Sequence, residues 1–381
     1  MITIQQKPTE LILSRQPVVF KVVSNSTQTP LRLKGSVYGI GSDSFPADIM
    51  TSAQFEFSEY LHELPTERYK LGDSPAKYTG AISSAVFKFY EVYGTPATDH
   101  NELVSSPHYV LDGKVPVSKL KTFYQTYGSV LEYLISTKAC LTWWNSADPK
   151  KVLPAQKEFI NYLQVKSASP VNLQLQVGLL FTDGTSATMG NVFSAVSSVA
   201  YMEMVYFPTG YTQLGIEAWV TANHPGKVVR RYYATIYSSS TPYSRVYNYE
   251  LDNGYYENSR VLYIRNPFGM LEVLLCTGMA AEASDNSNET GSTDGLTLPK
   301  KLSWKNTRTD VVKINSGFLS VDGIAWLADL LDTIEAYELN GSRLIPIVLH
   351  ETKIATRHDG DYQYSAELEY EYAFTQPIEH A

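Results

Sequence analysis

The sequence predicts a mainly β protein: tandem antiparallel β-sandwich or barrel-like modules, then a small α+β C-terminal part containing one amphipathic helix. Three observations carry this expectation. Residues 171–181 set Val171, Leu173, Leu175, Val177, Leu179 and Phe181 on one face and Asn172, Gln174 and Gln176 on the other, a period of two that only a strand turns into a single apolar face. Residues 243–278 show three short apolar runs, separated by Asp252-Asn253-Gly254 and Asn266-Pro267-Phe268-Gly269, which read as a three-stranded meander. The 28 tyrosines suit pleated, half-buried and contact surfaces more than helix interiors.

Taken in order, residues 10–23 read as a strand, a kink at Gln16-Pro17 and a second strand, since proline is confined to strand edges, starts or bulges. Residues 31–38 alternate as a further strand. Residues 52–64 extend the sheet or, from Ser58, make one or two helical turns ending at Pro65. Val86 to Tyr93 restores a strand and closes an N-terminal β-sandwich module, 1–94. A polar linker from residue 95 leads to Tyr109–Val115, where Asp112-Gly113 has the chemistry of a hairpin turn. Residues 118–136 place Leu120, Phe123, Tyr127, Val130, Leu131 and Leu134 at helical spacings, with Gly128 weakening the helix. A strand with Trp143 and Trp144, a Lys150-Lys151 turn and a strand near Glu158 follow, then strands at 200–207, 215–222 and 228–237, completing a central β-rich domain, 95–280.

Residues 281–296 are small and polar and are expected as a loop. The C-terminal α+β domain, 297–381, opens with one or two strands. Residues 323–339 then carry Ile324, Leu327, Leu330, Leu331 and Ile334 as one helical stripe, stopped by Asn340-Gly341. Two strands finish the chain, and the second alternates aromatic residues with Glu367, Glu369 and Glu371.

A length of 381 residues argues for two or three domains, and 44% apolar content for a folded chain. The net charge of -8, with scattered basic residues, argues against nucleic-acid binding. Cys140 and Cys276 are too few and too far apart to predict a disulfide framework or a cysteine metal site. No run reaches the roughly 18 to 20 apolar residues of a membrane helix, and the start, MITIQQKPTE, has no signal-peptide pattern, so the expectation is synthesis in the cytoplasm without membrane insertion.

No histidine pair has metal-ligand spacing, and no nucleophile elbow, phosphate loop or dinucleotide turn occurs; neither a catalytic residue, a cofactor nor a metal is predicted. Asp359-Gly360-Asp361 reads as a polar turn rather than a calcium site, and Glu367, Glu369 and Glu371 as a solvated acidic face. Trp143 and Trp144 are the residues singled out for a carbohydrate or interface contact, because an exposed indole offers a stacking platform.

The order of elements resembles that of uncharacterised tail and baseplate-module structural proteins of Bacteroidetes phages and prophages. The blocks concerned are SRQPVVFKV, FEFSEYL, YVLDGKV, LTWWNSADPKKVLPAQKEFINYL, FTDG, YIRNPFGMLEVLLCTG, IAWLADLLDTIEAYEL, LIPIVL and YSAELEYEYAF. The resemblance implies a virion or tail-like particle component near the baseplate or tail tip, in a homo-oligomeric ring with other tail proteins, and brings no catalytic residues. Two other classes stay open: a cell-surface or carbohydrate-binding β-sandwich using Trp143 or Trp144, and a glycan-cleaving enzyme whose carboxylates would converge in a cleft.

Overall fold

The computed structural model describes residues 1–29, 31–37, 40–46, 52–66, 70–144, 148–257, 259–293, 300–332, 335–341, 343–350, 354, 364–373 and 376–377. The protein is mainly β, with several antiparallel sheets and a few short helices. The chain divides into two compact units, one formed by Met1–Trp143, Lys157–Tyr247 and Asn266–Met270, the other by Trp144–Gln156, Asn248–Arg265 and Leu271–Ala381. Both are discontinuous in sequence, whereas the expected blocks 1–94, 95–280, 281–296 and 297–381 are contiguous.

In the first unit, strand Val19–Ser24 lies between Ile2–Gln6 and Ser52–Glu56, and strand Phe87–Tyr93 between Thr98–Val104 and Arg32–Val37. Phe20, Phe55, Phe57, Phe87 and Phe89 fill the space between these sheets with no exposed surface. Ring centroids of Phe20 and Phe87 are 4.6 Å apart, and those of Phe57 and Phe87 5.1 Å. Thr98–Val104, read from the sequence as linker, is an edge strand. It lacks apolar alternation because polar cross-strand contacts hold it: Tyr93 stacks on His100 at 4.1 Å, Lys34 pairs with Asp99 at 2.8 Å, and Tyr90 Oη donates to Glu102 at 3.1 Å. His108 sits under the phenylalanines, its ring 5.7 Å from Phe20 and its Nδ1 2.9 Å from the Thr9 carbonyl.

A second core joins Leu11–Leu13, His108–Leu111 and Ile82–Ala85 to two helices, Leu120–Tyr127 and Val130–Thr137. The predicted helix is thus real but broken at Gly128, whose φ of +71 ends the first turn series, while Ser129 Oγ accepts the Glu132 amide at 3.1 Å and starts the next. Val171–Phe181 pairs with Val229–Ser238 and turns at Gly184 into Ser186–Asn191, as its period requires. Residues 215–222, expected as a strand, fall instead mostly in helix Ile216–Asn223; Ile216 and Val220, four apart, are its buried stripe.

Asp112-Gly113 is not a hairpin turn. Asp112 is buried and accepts from Ser14 Oγ at 3.0 Å and Arg15 Nε at 2.7 Å, and Lys114 N donates to the Pro267 carbonyl at 2.8 Å. A Cβ on Gly113 would lie 2.2 Å from Pro267 O, and one on Gly269, at φ +78, 1.8 Å from Asp112 O. Two glycines therefore permit backbone to lie on backbone. Asn266 locks the opposing turn, with Oδ1 accepting from Phe268 N and Met270 N, each at 3.0 Å, while Phe268 is buried beside Trp143 and Tyr133.

In the second unit the strand order is Leu271–Cys276, Arg260–Arg265, Ala336–Asn340, Arg343–Leu349, Glu367–Tyr372, Lys300–Asn315, Ala280–Thr293. Tyr247–Leu251 pairs in parallel with Lys150–Val152, so the expected meander reduces to one hairpin, and Lys150-Lys151 is strand rather than turn. The predicted C-terminal helix spans only Val321–Leu330, burying Ile324, Trp326, Leu327 and Leu330. Ala336–Asn340 is a strand because its ladder is satisfied on both sides, by Leu262–Ile264 and by Arg343–Ile347; Asn340 is its last paired residue, opposite Arg343, and the chain turns back after it through Gly341, at φ +61. Residues 281–293, expected as part of a polar loop at 281–296, are strand for the same reason, each pairing with a residue of Lys300–Asn315. Ile334, Tyr362, Phe374 and Asp359-Gly360-Asp361 lie outside the described residues.

Two outcomes follow from the first unit. Gly269→Ala is expected to cost about 3 kcal/mol or more, since strain and backbone collision add. Gly184→Ala, with positive φ but open space around it, costs only about 1–2 kcal/mol. Urea midpoints separate the two. Burial holds His108 below its ordinary pKa of 6.5. The unfolded chain therefore takes up a proton that the native state refuses, and this contribution to stability is complete above about pH 6.5 and lost as pH falls toward the depressed native value. Urea unfolding between pH 7 and 5 is expected to show a shallower acid-side loss in His108→Phe than in the wild type.

Candidate assembly interface

The second unit's sheet is held by a buried charge. Arg260, on the second strand in the order above, places Nη1 2.8 Å from Glu338 Oε1 and Nη2 against Glu282 of the last strand. Five inter-strand steps across a flat sheet would separate Arg260 from Glu282 by about 24 Å. The sheet therefore curls far enough for a side chain of its second strand to reach its last. Glu338 is 2% exposed and also accepts from Tyr370 Oη at 3.0 Å and Tyr372 Oη at 2.8 Å. Burial and that bond push the Tyr372 phenol up to about 12. Arg260 is raised: burial works against its charge, but the Glu338 carboxylate and its neighbours outweigh it.

From this root rises a long two-stranded ribbon, Ala280–Thr293 against Lys300–Asn315. The inner strand, Lys300–Asn315, pairs with Glu367–Tyr372 from Val311 to Asn315 and with Gln376–Pro377 at Thr307 and Arg308. Among the described residues, its stretch from Lys300 to Asn306 pairs only with the outer strand, and the outer strand pairs only with the inner one. Among the described residues, seven residues of inner strand, about 23 Å of chain, thus run on past the last strand that flanks them. At its base, Met279 is 89% and Phe318 67% exposed, two apolar side chains beside a groove of about 820 Å³ lined also by Tyr256, Lys151, Lys313, Glu367 and Glu369. Glu369 pairs with Lys313 at 3.0 Å, so the acidic strand face is part of this groove.

Trp143 and Trp144 fall in different units, on irregular backbone rather than in a strand. Trp143 is half-buried, 5.2 Å from Phe268 and with Lys119 Nζ 5.3 Å over its ring. Trp144 is buried against Trp326 in a T-shaped pair at 4.8 Å and donates Nε1 to the Asp148 carbonyl at 2.8 Å. It borders a small cleft of about 120 Å³ that Lys150, Asp148, Ser320 and Phe318 also line. Both thiols, Cys140 and Cys276, are pushed up to about 12 by burial, which keeps them protonated and weak as nucleophiles. Among the described residues no group of three His, Cys, Asp or Glu is placed to hold a metal ion, and no helix is long and apolar enough to cross a membrane.

Sequence reasoning missed Arg260 and Glu338. Their only signal is a carboxylate between Tyr337 and Leu339 and a cation ahead of the apolar run Val261–Ile264. No protein-family model matches this chain, and no curated protein matches it.

Removing Glu338 leaves Arg260 and two phenols facing a buried gap. Glu338→Ala is expected to cost about 3–5 kcal/mol, and Tyr372→Phe, which leaves the ion pair, about 1 kcal/mol. Equilibrium urea unfolding of the two variants checks the order.

Proposed function

We propose that the protein is a non-enzymatic structural component of a phage tail or tail-like particle, in the baseplate or tail-tip region, and that it works by protein–protein assembly. The observation that carries the reading is the ribbon. Among the described residues, its outer strand has one ladder unpaired along its length, and seven residues of its inner strand have no partner on their second ladder. A two-stranded hairpin is marginal in water by itself, and open strand edges are templates for pairing with another chain. The exposed Met279 and Phe318 at its base add apolar surface of the kind that interfaces cover. The order of sequence blocks, similar to tail and baseplate-module proteins, supports the particle context, with other tail proteins as further partners.

The carbohydrate-binding reading has weaker support. It needs an open indole face, and Trp144 turns its ring into Trp326 while Trp143 packs on Phe268 under Lys119.

Light scattering on the purified chain over a concentration series tests the assembly reading. A defined trimer or hexamer is expected, and a particle of 42.6 kDa at every concentration overturns self-assembly.

A further inference from the structure

Independently of the assembly reading, we propose that one outward sheet face of the first unit is a platform for an uncharged oligosaccharide, built on Tyr233 and Tyr237 and using neither Trp143 nor Trp144. Strand Val171–Phe181 turns Leu173, Leu175, Val177 and Leu179 into the core with no exposed surface. Its other face, Asn172, Gln174, Gln176, Gly178 and Leu180, therefore points away from that core. In register, Gln174 stands opposite Tyr237, Gln176 between Thr235 and Asn191, and Gly178 between Tyr233 and Thr188.

Gly178 shapes the platform. A Cβ on it would lie 2.0 Å from Cε2 and Cζ of Tyr233 and 2.2 Å from its Oη. The far end of that side chain thus occupies the space above the neighbouring strand, so the ring lies across the sheet instead of standing off it. One side of the ring rests on the buried Gly178; the other turns away from the sheet, and Tyr233 stays half-buried, not covered. Tyr237, also half-buried, follows four residues on, about 13 Å along the same face of the strand. A ring presented in this way offers the electron-rich side of its π system, on which the C–H side of a pyranose stacks.

The polar half of such a site is also present. Among the described residues, Gln176 and the hydroxyls of Tyr233 and Tyr237 make no side-chain hydrogen bond within the protein. Asn191 Nδ2 donates to Gln174 Oε1 at 3.0 Å, which leaves Gln174 Nε2 as a donor and Asn191 Oδ1 as an acceptor. Amides set a donor beside an acceptor, and neighbouring sugar hydroxyls need both.

Composition narrows the occupant. The face has one charged residue, Arg231 at its margin opposite Leu180, and no acid, so it has no charge pattern for an ionic ligand. None of the exposed large apolar side chains among the described residues lies on it, so it lacks the apolar centre of a protein interface. An uncharged, hydroxyl-rich chain fits what remains.

The test titrates the full-length chain with neutral hexasaccharides of glucose, mannose, galactose and N-acetylglucosamine, each separately, and with an oligogalacturonate as the acidic comparison, read by saturation-transfer NMR and calorimetry. Saturable binding of at least one neutral sugar is expected. Gln174→Ala/Gln176→Ala is expected to weaken it about tenfold or more, through two lost hydrogen bonds, and Tyr237→Ala by a similar factor through the lost ring. Thermal unfolding is measured alongside, and the glutamine pair, at the solvent side of the sheet, keeps the outcome decisive where Tyr237→Ala fails to fold. Wild-type binding by either folded variant overturns the proposal, because the sugar then sits elsewhere. A wild type that binds none of the neutral sugars, or the oligogalacturonate alone, also overturns it and leaves the face to a protein partner.

Discussion

A two-stranded ribbon has too few contacts of its own to set its direction, and here the guanidinium of Arg260 sets it. By meeting Glu282 on the outer ribbon strand and Glu338 on the strand Ala336–Asn340, Arg260 ties the last strand of the sheet to one five places away. A buried ion pair repays its desolvation only when its remaining lone pairs are filled, and Tyr370 and Tyr372 fill those of Glu338. The apolar side of the same sheet, with Val312, Ile314, Leu368 and Tyr370 all buried, supplies non-directional burial energy. The ionic cluster supplies register. Together they fix the root from which the ribbon projects.

The first unit solves its own geometric problem differently. Its tight point is backbone on backbone, Asp112-Gly113 against Pro267 to Gly269, with no side chain between. Polar groups displaced by this approach are each satisfied: Asp112 by Ser14 and Arg15, the Pro267 carbonyl by Lys114, and Asn266 by the amides of Phe268 and Met270 and the carbonyl of Leu141. Phe268 can then sit fully buried among Tyr133 and Trp143. The glycines permit the approach, and the aromatic packing makes it favourable.

What was legible in the sequence was what period and turn chemistry encode locally. Val171–Phe181 and the turn at Gly184, the kink at Gln16-Pro17 and the helix broken at Gly128 all obey nearest-neighbour rules. The errors arose where a distant partner decides. Ala336–Asn340 continues a helical stripe by pattern, yet two flanking strands claim its backbone. Residues 216–223 carry apolar residues compatible with either period, and burial of Ile216 and Val220 chooses the helix. Asp112-Gly113 has hairpin chemistry, but its partner is a turn more than 150 residues away in sequence, 113 against 267. For the candidate interface, the exposed Met279 and the roles of Arg260 and Glu338 have no local pattern, because each depends on the curl of the sheet.

The ribbon itself shows why composition misled. Period-two alternation marks strands with one face on a core, and Ala280–Thr293 has no such alternation; a strand exists wherever its amides and carbonyls find a ladder, and Lys300–Asn315 provides one. With little apolar content to give it a place in a core, such a strand has its backbone edge as its main specific feature. An open edge that were also uncharged would accept any extended segment. In register Glu289 stands opposite Lys305 within the ribbon, the placement of opposite charges that cross-strand pairing favours.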